Sequence, residues 1–252
     1  MSKSQRRRDE VHGILLLDKP VGLTSNGALQ QAKHLLAARK AGHTGSLDPI
    51  ATGLLPLCFG DATKISSFLL GADKRYWVRI RLGETTTTGD TEGEVIESRD
   101  VAVSTPQVES ALANFCGEIE QIPPMFSALK HHGQPLYKLA RQGISVEREP
   151  RRVVVYSSEL ERYSDRELDA TVHCSSGFYV RSLAHDLGEY LGCGAHVLGL
   201  RRTGVGEFDV ADAVTLEALK QRPDAAERRV DLLSGDQGLT HIPAVELSVD
   251  AA

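Results

Sequence analysis

The stretch GHTGSLDPIATGLLP, residues 42–56, surrounds one carboxylate, Asp48, with glycines, hydroxyl side chains and two prolines. A lone Asp-Pro pair is more often a turn in which the carboxylate accepts hydrogen bonds from loop amides. Three glycines within twelve residues change that interpretation, because they let the backbone adopt conformations closed to other residues and approach another segment closely. A carboxylate held rigidly on such a loop suits covalent catalysis, since a positioned aspartate can attack an electrophilic carbon without a separate base.

The segments on either side of this loop predict an α+β fold. The apolar run at 13–17 is typical of a short buried strand, and residues 75–83 alternate between apolar and polar side chains as a half-buried strand does. We expect the second strand to form a hairpin with residues 94–98, and Ser25 to cap the helix that follows the first strand. Because the elements do not alternate in a βαβ rhythm, the sequence favours a mixed, mostly antiparallel central sheet flanked by helices and loops.

The composition indicates a globular protein of a reducing cytoplasm. A chain of 252 residues with 41% hydrophobic content can bury a sizeable core. The four cysteines lie far apart without a CxxC pattern, so neither a zinc site nor a disulfide framework is expected. The N-terminal residues are charged, and the apolar run after them is too short for a signal peptide or a membrane span.

The net charge of −5 hides a segregated pattern. Thirteen Lys/Arg against six Asp/Glu give residues 1–82 a net +7, and six against two give residues 121–152 a net +4. Residues 83–120, with one against nine, and 153–252, with nine against seventeen, each carry −8. Such segregation predicts a basic surface that faces a polyanion, with ordinary solvated faces as the alternative.

Several chemistries that use an aspartate do not fit the residues around Asp48. A glycosidase normally needs a second carboxylate a few ångströms away, and none stands near in this motif, although the fold could supply one. A phosphoaspartyl enzyme would bring a second acidic residue for magnesium, which this motif lacks. The sequence contains neither a P-loop nor a GxGxxG that opens a helix, so no nucleotide cofactor is expected.

The sequence resembles the TruB family of bacterial tRNA pseudouridine synthases in six ordered blocks that cover nearly the whole chain. They are KPVGLTS (19–25), GHTGSLDPIATGLLPLCFGDATK (42–64), KRYWVRIRLGETTTTGDTEG (74–93), PPMFSALKHHGQPLYKLARQG (123–143), SSGFYVRSLAHDLG (175–188) and LGLRRTGVGEF (198–208). The resemblance implies an isomerase that flips uridine 55 out of the tRNA T-loop, cuts its C1′–N1 bond and joins C5 to C1′. It also implies a pseudouridine synthase fold with a central cleft, no cofactor, no metal, and tRNA as the partner of a monomeric enzyme.

The resemblance implies three catalytic residues. Asp48 would be the nucleophile; whether it attacks the base at C6, attacks the sugar at C1′ or removes a sugar proton stays open. Arg181 would be its partner and would lower the pKa of Asp48, although the pattern alone fits a solvent-facing residue of a first helical turn equally well. Tyr76 would lie against the target base and take the C5 proton, although its place on the apolar strand face also fits a core tyrosine.

Other positions match the family's substrate pocket. Tyr179 and Leu200 would line the uridine pocket, with simple core packing as the alternative for Leu200. His43 would fill the gap that the flipped nucleotide leaves in the RNA, whereas a loop histidine more commonly bonds to its own backbone. Lys19, next to Pro20, would shape the cleft floor.

Basic residues are the expected phosphate contacts, namely Lys64, Lys130, His131, His132, Lys138, Arg141, Arg148, Arg151 and Arg152. The segment 121–152 that carries most of them is long, basic and punctuated by Pro and Gly. We therefore expect a mobile, irregular loop that becomes ordered on RNA. The arginines at positions 6–8 are expected to be a solvated terminus.

We expect residues 1–240 to form one catalytic domain, and residues 241–252 to be the stub where the small PUA-like domain of bacterial relatives begins. Two other functions are considered. One is a tRNA-folding chaperone for which modification is secondary, against which the presence of Asp48, Tyr76 and Arg181 weighs. The other is an aspartate-dependent hydrolase of glycosides or nucleosides, which leaves the basic segment unexplained.

Overall fold

A computed structural model describes residues 9–240 and 242–243 of the chain. Seven α-helices form in the described part: α1 Ser25–Leu35, α2 Ser66–Gly71, α3 Thr105–Asn114, α4 Leu136–Ala140, α5 Val180–Tyr190, α6 Leu216–Gln221 and α7 Ala225–Arg228. The strands described are β1 Gly13–Lys19, β2 Ala41–His43, β3 Ala51–Phe59, β4 Lys74–Leu82, β5 Glu84–Thr86, β6 Val95–Ser98, β7 Gly117–Gln121, β8 Lys130–His131, β9 Gln134–Pro135, β10 Arg151–Ser164, β11 Glu167–Cys174, β12 Ala195–Val205, β13 Phe208–Asp209 and β14 Val214–Thr215.

Ten of these strands form one central sheet. Eight follow the order β14-β1-β3-β12-β4-β11-β10-β7, while β2 pairs with β3 and β13 pairs with β12. Two pairs are parallel, β1 with β14 and β3 with β12, and the other pairs are antiparallel. The predicted α+β class, with a mixed and mostly antiparallel sheet, is confirmed.

Residues 13–17 of strand β1 are apolar without interruption because both faces of the strand are covered. Leu15 and Leu17 belong to the larger of two core clusters, whereas Ile14 and Leu16 belong to a smaller cluster on the opposite face. A strand that is buried on both faces needs a continuous apolar run instead of an alternating one. This explains the sequence GILLL at the start of the strand.

Strand β4 lies near the middle of the sheet and alternates as predicted. Val78, Ile80 and Leu82 are fully buried, and Tyr76 continues their row at the end where the sheet opens into a cleft. The predicted hairpin partner of this strand is wrong, because residues 95–98 pair with β5 instead. Gly83 has φ +96°, a conformation that glycine adopts readily, and it separates β4 from β5.

The cap of α1 differs from the prediction in a way that matters for the Asp48 loop. Thr24, not Ser25, caps the helix by accepting a hydrogen bond from the Gly27 amide. The hydroxyl of Ser25 instead accepts a bond from the Leu47 amide at 2.7 Å and donates one to the Leu47 carbonyl at 3.1 Å. The residue immediately before Asp48 is thereby tied to the start of α1.

The Asp48 loop emerges at a seam in the sheet. One edge of β3 pairs along its length with β1, whereas the other edge is shared by β12 near residues 51–53 and by β2 near residues 57–59. Residues 44–50 leave β2 and enter β3 at this division. At the seam, Gly53 has φ +99°, and a Cβ placed on it would lie 2.2 Å from the carbonyl oxygen of Arg202.

The segment 121–152 is not irregular throughout, contrary to the prediction. It contains the small hairpin of β8 and β9, and helix α4 follows directly. Arg148 donates a hydrogen bond to the Pro123 carbonyl at 3.1 Å, which ties the later part of the segment to its start.

Early and late strands of the described chain meet in one sheet, since β14 pairs with β1. Part of the predicted stub at 241–252 and the arginines at 6–8 lie outside the described residues. Across residues 9–240 and 242–243, the helices are too short or too polar for any of them to span a lipid bilayer.

Replacing Gly53 by alanine should destabilise the seam strongly. The new methyl group would collide with the Arg202 backbone, in addition to the roughly 1–3 kcal/mol that a strained backbone conformation costs by itself. Gly192→Ala is the matched control, because Gly192 has φ +77° and no atom within 4 Å of the added carbon. Urea unfolding at unchanged m-value measures both losses. Equal losses in the two variants would contradict the close contact at the seam.

Candidate active site

A cleft of about 530 Å³ opens at the seam, a size that suits a small ligand or one extruded group. Asp48, His43, Tyr76, Tyr179, Arg181 and Leu200 all line it. These are the three predicted catalytic residues together with three of the predicted pocket residues, and the fold brings all six together from β2, β4, β12, α5 and the connecting loops. Lys74 and Arg202, which the sequence analysis did not single out, also line the cleft.

Asp48 and Arg181 form an ion pair at the centre of the cleft. The Nε of Arg181 lies 2.9 Å from Oδ2 of Asp48. The arginine side chain is 6% exposed and the aspartate 37%, so the cation is buried in the wall while the carboxylate faces the opening. The alternative of a solvent-facing arginine is therefore wrong.

The Arg181 guanidinium is held by further partners on every side. Its Nη1 donates to the Thr88 carbonyl at 2.9 Å, and its Nη2 donates to the Phe126 carbonyl at 2.7 Å. A second carboxylate, Asp90, lies 3.6 Å from Nε and is 2% exposed. A guanidinium fixed in this way cannot swing, so it presents Nε to Asp48 in one direction.

The start of helix α5 is itself tied to strand β7. The Gln121 side-chain oxygen accepts a hydrogen bond from the Tyr179 amide at 3.0 Å, and its nitrogen donates to the Tyr179 carbonyl at 3.3 Å. The Ser182 hydroxyl donates to the Ile122 carbonyl at 2.8 Å. These bonds on both sides of Arg181 fix the helical turn from which the guanidinium extends.

The pKa of Asp48 differs in part from the expectation that Arg181 would lower it. Burial raises the pKa of Asp48 above its ordinary value, and the nearby Asp90 charge raises it further. Arg181 acts in the predicted direction and lowers this pKa, with a smaller contribution from Lys19, but burial outweighs both. The carboxylate is therefore more basic than a free aspartate.

Tyr76 satisfies both interpretations of its strand position. It packs against the main core cluster and it also lines the cleft. Burial raises the pKa of its hydroxyl, and the Arg202 charge opposes that effect. The ring therefore presents an aromatic face of the kind on which a flipped base can stack.

Burial shifts the pKa of the titratable pocket residues His43 and Tyr179 toward their uncharged forms. Burial and the Arg202 charge lower the pKa of His43, so its ring is neutral in the cleft. Its Nδ1 is buried without a hydrogen-bond partner among the described residues. Burial raises the pKa of Tyr179. Leu200 is 8% exposed, so it packs in the core and borders the cleft at once.

Lys19 lies behind the cleft wall and is completely buried. Its Nζ donates to the Pro20 carbonyl at 2.9 Å and to the Leu23 carbonyl at 2.6 Å. Burial lowers its pKa to about 8, while the charge of Asp48 opposes this shift. Lys19 is not among the residues that line the cleft, so its role as part of the cleft floor stays a prediction.

The structure does not bring three of the predicted RNA-contact residues into the cleft. Lys64 is exposed and pairs with Asp61 at 2.6 Å. Lys130 and His131 form strand β8, just beyond Leu129, which borders the cleft. Any contact of these three with RNA would be made outside the pocket.

Asp90, Lys74 and Arg202 are site residues that the sequence analysis missed. Asp90 stands in the run TTTTGDTEG, and its carboxylate also accepts bonds from the Thr88 hydroxyl and the Glu92 amide. The feature of the sequence that could have pointed to Asp90 is its position as an acidic residue inside a block that resembles the family. Arg202 and Lys74 stand in strands where charged residues normally face water, so the pattern gave no sign that they are buried.

Comparisons with protein families and known proteins identify related chains. A family model described as "TruB family pseudouridylate synthase (N terminal domain)" matches residues 33–180. A second, described as "tRNA pseudouridylate synthase B C-terminal domain", matches residues 181–233. The boundary between the two lies immediately before Arg181, so the ion pair joins one matched segment to the other.

Similar proteins cover nearly the whole chain. A tRNA pseudouridine synthase B of Nitrosococcus oceani is 54% identical over 258 residues, which span 99% of this chain and 83% of the relative. The corresponding protein of Pseudomonas aeruginosa is 53% identical over 257 residues, spanning 100% and 84%. A chain in the crystal structure of a Cbf5-Nop10-Gar1 complex superimposes with a TM-score of 0.72 at 30% identity, over 92% of this chain and 63% of that one.

Asp90→Asn should lower the pKa of Asp48. The substitution removes the like charge that raises this pKa, while the amide keeps the shape of the side chain. Carboxyl ¹³C NMR of aspartate-labelled protein, with the Asp48 resonance assigned by its absence in Asp48→Asn, measures the shift. Asp100→Asn, at an exposed position, is the control and should leave Asp48 unchanged. A midpoint that stays or rises in Asp90→Asn would show that Asp90 does not act on Asp48 through its charge.

Proposed function

The chain belongs to the TruB family of pseudouridylate synthases, and from this membership we propose which cleft residues carry its reaction and how. The activity is tRNA pseudouridylation, an isomerisation in which the N1–C1′ bond of a uridine breaks and the base is rejoined to C1′ through C5. The proposed substrate is uridine 55 of the T-loop, delivered to the cleft by base flipping. The observation that carries the proposal is the 2.9 Å pair of Asp48 and Arg181 in a cleft that Tyr76 also lines.

Asp48 is proposed to act on the uridine directly. Attack on C6 of the base, attack on C1′ of the sugar and removal of a sugar proton all require an ionised carboxylate beside the glycosidic bond. Burial makes this carboxylate more basic, and Arg181 keeps its ionised form available. The paired guanidinium also fixes which carboxylate oxygen faces the substrate, since Nε contacts Oδ2.

Tyr76 and the neutral pocket residues are proposed to hold the flipped base. Stacking on the Tyr76 ring contributes on the order of 1–3 kcal/mol, which offsets part of the cost of extrusion. Tyr179 and Leu200 border the same space from α5 and β12. His43, which is neutral and lines the same cleft, is proposed to contact the RNA.

The basic segment 121–152 is proposed to bind the phosphate backbone of the T-arm. Lys130, Lys138 and Arg151 are exposed, and within residues 9–240 and 242–243 they form no ion pair. Unpaired cations attract a polyanion without first giving up a partner. The proposed enzyme is a monomer that acts in the cytoplasm without a cofactor or metal.

Tritium release from T-arm RNA labelled at uridine C5 tests the proposed function. Wild-type protein should release tritium, and Asp48→Asn should bind the RNA while release falls by at least about a thousandfold, since the reacting group is gone. Asp61→Asn, at an exposed carboxylate away from the cleft, should behave as wild type. Binding without release by wild type would favour the chaperone, and free uracil would indicate a hydrolase.

The salt dependence of binding tests the basic segment. In the triple variant Lys130→Ala, Lys138→Ala and Arg151→Ala, the slope of log affinity against log salt should fall by about 2–3 relative to wild type, because each lost phosphate contact removes about 0.7–0.9. Lys33→Ala combined with Lys220→Ala, on helices α1 and α6, should leave the slope unchanged. Fluorescence anisotropy with labelled T-arm RNA, from about 50 to 200 mM KCl, measures each slope. An identical slope in the triple variant would dismiss this segment as the RNA-binding surface.

A further inference from the structure

Arg202 is a buried cation that forms no ion pair with any residue that lines the cleft. The side chain is 1% exposed, and its Nε donates to the Leu54 carbonyl at 2.7 Å. Its Nη2 is buried without a hydrogen-bond partner in the described part of the chain. Asp48, the carboxylate that lines the same cleft, already pairs with Arg181. Burying a guanidinium with an unpaired N–H lowers the stability of the fold. A functional role for Arg202 would explain why it is nevertheless buried.

The backbone around Arg202 holds the guanidinium in place. Gly53 lets strand β3 pass close against the Arg202 backbone, and a Cβ on Gly45 would lie 3.5 Å from Nη1. The bond from Nε to Leu54 fixes the middle of the head group. The direction of the free Nη2 is therefore set by the fold and not by solvent.

Tyr76 lies directly across from Arg202. The two residues are register partners in the antiparallel pair of β12 and β4, and both line the cleft. The Arg202 charge lowers the pKa of the Tyr76 hydroxyl. Arg202 is thus the cation that faces this hydroxyl from β12.

The other titratable groups around Tyr76 do not favour its ionised form. Cys174 on β11 and Asp48 on the neighbouring loop both raise the pKa of Tyr76, as does burial. Lys74, on the same strand, points its Nζ to the carbonyls of Leu70 and Ala72, and burial together with Arg202 lowers its pKa to about 8. His43 is neutral.

We propose that Arg202 is the positioning residue that stabilises the Tyr76 phenolate, so that Tyr76 acts as the base that takes the C5 proton of the rearranged uracil. This inference rests on the proposed role of Tyr76 in the isomerisation. A neutral phenol is too weak a base to remove a proton from carbon, whereas a phenolate beside a guanidinium is competent.

The proton step balances without any further reactant. Once C5 has joined C1′, C5 carries both the new bond and its original hydrogen. The phenolate takes that hydrogen as a proton and becomes neutral tyrosine, while the C5–H electron pair forms the C5–C6 double bond. The electron pair displaced from C6 moves to N1, which then takes a proton from water. If Asp48 had bonded to C6, that pair leaves with the Asp48 carboxylate instead.

The first test measures the coupling without RNA. 3,5-Difluorotyrosine, placed at position 76 alone by amber suppression, titrates at a lower pH than tyrosine, and its ¹⁹F shift reports ionisation. Arg202→Met should raise its midpoint by at least about one unit, because an opposite charge nearby is lost. Arg202→Lys keeps the charge and should move the midpoint less. Thermal melting confirms that each variant is folded.

Arg201→Met is the matched control for the neighbouring position. Arg201 pairs with Asp18 at 2.7 Å and does not line the cleft, so its loss should leave the midpoint unchanged. An unchanged midpoint in Arg202→Met would overturn the proposal. A shift of the same size in Arg201→Met would also overturn it, since the effect would then not be specific to Arg202.

The second test follows the chemistry. In single-turnover tritium release, Arg202→Met should be at least about tenfold slower than wild type at neutral pH and should recover as the pH rises, with affinity for T-arm RNA within about twofold. A midpoint that moves while this pH profile does not would overturn the base role of Tyr76. In that case, abolished release in Asp48→Asn would still support the proposed function, so the two failures are distinguishable.

Discussion

The ion pair between Arg181 and Asp48 is the interaction on which the rest of the site depends. Burying a guanidinium is costly, and here the cost is offset by two carbonyls and two carboxylates that surround it. The same burial raises the pKa of Asp48, so the fold makes the carboxylate more basic and the arginine keeps it charged. Burial and Arg181 thus act on the pKa of Asp48 in opposite directions, and burial is the larger effect.

The sheet brings this pair together from distant parts of the chain. Asp48 lies on a loop between two early strands, whereas Arg181 lies on a helix that follows β11. Strand β12, which comes after that helix, is placed between β3 and β4. The two segments matched by the family models are therefore interleaved in one sheet, and neither segment contains a complete site.

Periodicity in the sequence was enough to predict β1, β4 and the class of the fold, because burial in a sheet dictates which positions are apolar. It failed where a side chain takes part in a distant contact. Ser25 looks like a helix cap but bonds to Leu47, and Arg202 looks like a surface residue but is buried. The resemblance supplied Asp48, Tyr76 and Arg181 as candidates, and the structure places them in one cleft. Neither periodicity nor resemblance revealed Asp90, since its importance comes from the guanidinium beside it.

The carbonyl of Phe126 accepts a hydrogen bond from Arg181, although Phe126 belongs to the same segment as the exposed cations of β8 and α4. The segment proposed to bind RNA and the Asp48–Arg181 pair are thus linked by one hydrogen bond. Under the proposed function, an RNA that displaced this segment would also displace the carbonyl that holds Arg181 beside Asp48, so binding and reaction would depend on the same stretch of chain.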